Sequence, residues 1–105
     1  MFDEETIRIR KQQKFLQDME QTVVEANRRT IHACIPRLDK KRFVAFATRV
    51  AELRAAYLEA ALAAAVGGDF SILRHHREAF EEAKAAYAAL ERAIERGYVD
   101  IDAAG

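Results

Sequence analysis

The sequence has no tryptophan, a single cysteine, a single proline and only four glycines. Each scarcity excludes something. One thiol, Cys34, forms no intramolecular disulfide, and no Cys/His set surrounds it to make a zinc site. With one proline, Pro36, little interrupts helices, and Gly67, Gly68 and Gly97 stand where helices are expected to end. The formal net charge is zero, so no global attraction to a polyanion operates. The longest apolar run, Ala60–Val66, falls well short of the roughly 18 residues of a membrane span. The opening stretch MFDEETIRIRK is charged from its third residue, which predicts no signal peptide. There is no Gly-rich phosphate loop, no Ser-His-Asp set and no H-E-x-x-H. These absences predict a cytoplasmic protein that is not an enzyme, spans no membrane and holds no cofactor or metal.

Half of the residues are hydrophobic, enough for a core, and alanine, glutamate, arginine, lysine and leucine dominate, as in helical bundles. The alanine- and arginine-rich style is that of a GC-rich bacterial genome. The strongest pattern runs from Asp39 to Gly68. Asp39 is placed to cap a helix. Phe43, Phe46, Val50, Leu53, Tyr57, Ala60 and Ala64 then recur at three- and four-residue steps. Val44, Ala51, Leu58, Leu62 and Ala65 widen that stripe, so two neighbours are expected on this helix. Gly67 is expected at the left-handed position that ends it. Because its first half is bulky and its last half mostly alanine, the opposing helix should be small near Phe43–Val50 and large near Ala60–Ala65.

Two further helices flank this one. Before it, Asp3 can cap a helix with Glu4 and Glu5 in its first turn. Ile9, Leu16, Val23 and Thr30 repeat every seven residues, with Met19, Ala26 and Ala33 beside them and Gln12 interrupting. The stripe is narrow, as on an outer helix or one whose partner lies on another chain, and Pro36 must end it. After the glycine pair, Asp69 or Ser71 can cap a third helix. Its seam is Leu73, Phe80, Tyr87 and Ile94, completed by Ala83 and Leu90, and it closes at Arg92, Arg96 and Gly97.

The expected fold is all-α: an elongated up-down-up three-helix antiparallel bundle, one domain over 1–97 with helices at 3–35, 39–66 and 70–96, and a frayed tail over 98–105. Antiparallel folding at the glycine pair sets Phe46 and Val50 opposite Ala85, Ala86 and Ala89. Three long helices from 105 residues make a thin core, which predicts a homodimer formed through helix faces.

Charge is unevenly spread. Residues 28–42 hold Arg28, Arg29, Arg37, Lys40, Lys41 and Arg42 against Asp39 alone, whereas 71–105 carry seven carboxylates and five cations. Folding at Pro36 gathers the six cations into a basic elbow, the candidate site for an acidic protein partner or, as the alternative, for nucleic-acid phosphates bound by a regulator. Lys40, Lys41 and Arg42 sit at a helix N-terminus, where the dipole disfavours cations; the plain reading is a solvated, solubilising end. No base-reading motif accompanies them.

The remaining polar groups point to less. His75 and His76 diverge by about 100° on a helix and cannot share one metal. A di-iron bundle needs a repeated Glu-x-x-His that is missing. His32 and Cys34 face apart on their helix, so Cys34 reads as a buried structural thiol rather than a nucleophile. Pro36 stands where a phosphotransfer histidine at 32 would want lysine. Glu78, Glu81 and Glu82 form an acidic face on helix 3, best read as solvated.

Overall fold

A computed structural model of the chain describes residues 3–102. Three helices dominate it: α1 (Glu4–Cys34), α2 (Lys40–Gly67) and α3 (Leu73–Glu95), with two two-residue strands, β1 (Leu38–Asp39) and β2 (Ile101–Asp102). The protein is all-α apart from that short ladder.

Local chemistry sets most boundaries where the sequence puts them. Asp3 Oδ1 accepts from the Thr6 amide at 2.7 Å, and Asp39 Oδ1 from the Arg42 amide at 2.7 Å, each satisfying a donor the first turn leaves unpaired. The Asp3 carboxyl is held below its ordinary value by that backbone hydrogen bond. Ahead of Pro36, Ile35 turns to φ −132° and ψ 77° while its amide still reaches the Ile31 carbonyl at 2.7 Å. α2 runs through Gly67, and Gly68, one residue later than expected, takes the left-handed position at φ 78° with its amide on the Ala64 carbonyl. α3 ends in a double hydrogen bond: the Tyr98 amide donates to Ala93 and the Gly97 amide to Ile94, with Gly97 at φ 73°.

The start of α3 differs from expectation. Asp69 does not cap it, because its Oδ1 is taken by the Ser71 amide at 3.0 Å and the Ser71 hydroxyl at 2.6 Å, both inside the loop. These bonds keep the Asp69 carboxyl below its ordinary value. The helix therefore begins at Leu73 behind Ile72, which offers no side-chain cap.

α2 and α3 form an antiparallel hairpin in the expected register. Phe46 lies against Tyr87 with ring centroids 5.7 Å apart, Phe43 against the same ring at 5.5 Å, and Tyr57 against Phe80 at 6.2 Å. The expected matching of large to small does not hold. Bulky rings meet bulky rings, because offset and edge-on aromatic pairs accommodate each other at 4.5–7 Å. Arg54 and Lys84 lie over the Phe80 ring at 5.1 and 5.8 Å. Val50, Ala64 and Phe80 are the buried residues of this hairpin.

α1 does not lie along α2. No residue of α1 is buried, and it meets the rest of the chain only near its C-terminal end. The radius of gyration is 21.9 Å, against about 13 Å for a compact chain of this length. The long dimension, 74 Å, exceeds the roughly 46 Å of a 31-residue helix, so arm and hairpin splay from the elbow. The three-helix up-down-up bundle is thus not closed within one chain: two helices pair and the first projects.

The tail is also different from expectation. Tyr98 and Val99 are buried at 6% and 4% exposure, and with Leu38 they make a second small core at the elbow. The Leu38 amide donates to the Asp100 carbonyl at 2.8 Å, and β1 pairs parallel with β2, Leu38 beside Ile101 and Asp39 beside Asp102. Residues 98–102 are therefore latched rather than frayed, and 103–105 lie outside the described residues.

Candidate functional site at the elbow

The elbow is where α1 ends, α2 begins and the tail returns. Arg28 and Arg29 come from the last turns of α1, where cations complement the helix dipole. Arg37 lies in the turn; Lys40, Lys41 and Arg42 open α2. All six are exposed.

They do not line one recess. Arg28 and Arg29 line an open cleft of about 650 Å³ with Glu25, His32 and Asp100. Arg42 lines a different, mostly apolar groove of about 460 Å³ between the end of α1 and the hairpin, beside Ile31, Phe46 and Ala93. Lys40 borders a third hollow of about 300 Å³ with Phe43, Ile94 and Ile101. Arg37 and Arg42 are joined through the chain itself, the Arg42 guanidinium donating to the Arg37 carbonyl at 3.4 Å.

The returning tail changes the electrostatics. It carries Asp100 and Asp102 into the basic region, and His32 Nε2 lies 3.2 Å from Asp100 Oδ2. Arg28 has a second neighbour: its Nη2 stands 3.9 Å from where a Cβ on Gly97 would be. That places a guanidinium at the carboxyl end of α3, whose unpaired carbonyls attract it. The six cations are therefore interleaved with Glu25, Asp39, Asp100 and Asp102. A surface patterned in both signs favours a partner with matching alternation over a uniform polyanion.

Sequence reasoning missed Asp100, Asp102 and the latch beneath them. A signal was present: Tyr98, Val99 and Ile101 are strong strand formers directly after a helix-ending glycine. Cys34, expected to be buried, is exposed at the end of α1, because no neighbouring helix covers that face. His75 and His76 contact each other edge-on at 5.8 Å. Among the described residues no three His, Cys, Asp or Glu side chains gather as a metal-binding group, and no helix is long and apolar enough to cross a membrane. Glu78 of the acidic face is paired with Arg74 at 2.8 Å. Compared with known protein families, curated proteins and solved structures, the chain matches none.

Proposed function

We propose that this protein is a non-enzymatic helical interaction module, cytoplasmic and dimeric, that offers its elbow to an acidic protein partner. One observation carries the reading. α1 is 31 residues long, buries none of them, and yet exposes Leu16 at 65% and Val23 at 57%. Helices in proteins draw most of their stability from packing an apolar face, so such an arm is suited to being covered by another molecule. The exposed single thiol Cys34 suits a reducing compartment. The mixed-sign elbow supplies steering and register for a partner rather than bulk affinity.

The test is purification of native partners with the wild-type chain and with a chain whose six elbow cations are replaced by glutamine. Capture of a protein by the first and its loss from the second supports the reading. Capture of nucleic acid instead, with affinity falling linearly in log salt, replaces the acidic protein by phosphates. Unchanged capture by the neutralised chain removes the elbow from the account.

A further inference from the structure

The projecting arm and the outer side of α2 carry two free apolar stripes that fit each other. On α1 the stripe is Ile9, Leu16, Met19 and Val23, continued toward the elbow by small residues, each exposed. On α2 the pairing with α3 uses one side. The opposite side leaves Leu58 at 55% and Leu62 at 73% exposure, and Val44, Ala51, Ala55 and Ala65 exposed with them. Both stripes advance by alternating steps of three and four residues, the spacing of a coiled-coil seam. Aligned antiparallel from the elbow outward, they coincide at seven successive layers, from Thr30 with Val44 to Ile9 with Ala65. In the middle Val23 meets Ala51, Met19 meets Ala55 and Leu16 meets Leu58. The polar intrusions are Gln12 against Leu62, Thr48 against Ala26 and Thr30 against Val44.

We propose that the occupant of both stripes is a second copy of this chain. This rests on the interaction-module reading and specifies its dimer. Two chains bring their elbows together about a two-fold axis, and each α1 runs antiparallel along the outer stripe of the other's α2. Such an interface is isologous and closes on itself. The elbow contacts favour exchange over closure within one chain. Arg28 near Gly97 and His32 on Asp100 hold the end of α1 against the tail. Exchange leaves these contacts in place, whereas swinging the arm onto its own α2 must release them. The area is also adequate. Each seam runs for 22 residues from Ile9 to Thr30, about 32 Å at the helical rise, and a strip about 10 Å wide occurs twice per chain. That is roughly 600 Å² per partner, within the roughly 600–1,000 Å² per partner of a stable interface.

The test uses charge swaps at exposed positions, which leave the hairpin core intact. Leu16→Glu and Leu58→Lys are each prepared alone and then mixed, and sedimentation equilibrium reads the dimer. Each variant alone places an unpaired charge in both seams, and its dimer weakens by at least about 100-fold. The mixture restores the dimer, because one Glu–Lys layer and one native Leu–Leu layer form across the two chains. Closure within one chain predicts a monomeric wild type and no effect of mixing. Pairing of α1 with α1 predicts that Leu58→Lys alone remains dimeric. Either result overturns the exchange while leaving the elbow's capture of a partner to be judged by its own neutralised variant.

Discussion

Two glycines separate backbone need from mere space. Gly97 sits at φ 73°, and a Cβ there would meet only the Arg28 guanidinium at an ordinary 3.9 Å. Gly97→Ala should therefore cost about 1 kcal/mol from the left-handed backbone alone, read as a lower melting temperature. Gly67, the last residue of α2, has open space around it and no positive φ. Gly67→Ala should raise stability by up to about 1 kcal/mol through helix propensity. The caps add a pH dependence. Because the Thr6 amide lowers the folded-state pKa of Asp3, that cap contributes above the ordinary carboxylate value and is lost as pH falls through the lowered one. Acidification should thus fray the start of α1, and hydrogen exchange at Thr6 should accelerate there relative to the middle of the helix.

At the scale of elements, the molecule has two cores of unequal visibility. The hairpin core was legible. The three- and four-residue recurrence from Phe43 to Ala64 gave the helix, and the glycine pair gave the reversal. Together they put Phe46 opposite Ala85, Ala86 and Ala89, but the side chain it meets is Tyr87, between them. The wrong inference there was chemical, since volume matching ignores the fact that rings tolerate rings edge-on. The elbow core was not legible, because Leu38 and Val99 are 61 positions apart and periodicity reports only local neighbours. The candidate site suffered the same way: six cations could be counted along 28–42, but not the two aspartates brought beside them. Buried Phe80 should cost about 3–5 kcal/mol as Phe80→Ala and unfold the hairpin. Val99→Ala should cost about 2 kcal/mol, whereas Leu62→Ala, at 73% exposure, should leave monomer stability within about 0.5 kcal/mol. Chemical denaturation of the three variants at low protein concentration separates these outcomes.

For the whole molecule, the open shape follows from how little any one chain hides. A single hairpin with a latch buries six residues well among those described, and the arm adds none. At dilution, small-angle scattering should return a radius of gyration near 21.9 Å rather than the ~13 Å of a compact domain, and truncation before Glu4 through Cys34 should leave the hairpin's melting largely unchanged. The parallel ladder has one more consequence. Load applied between the arm and the end of β2 enters β1 at its start and leaves β2 at its finish, so the two strands slide past each other in shear instead of unzipping. The hairpin lies inside the loop that Leu38 and Ile101 close and carries no tension until that fastening slips. Its release then puts the 62 residues between them under load, roughly 200 Å of chain when drawn straight.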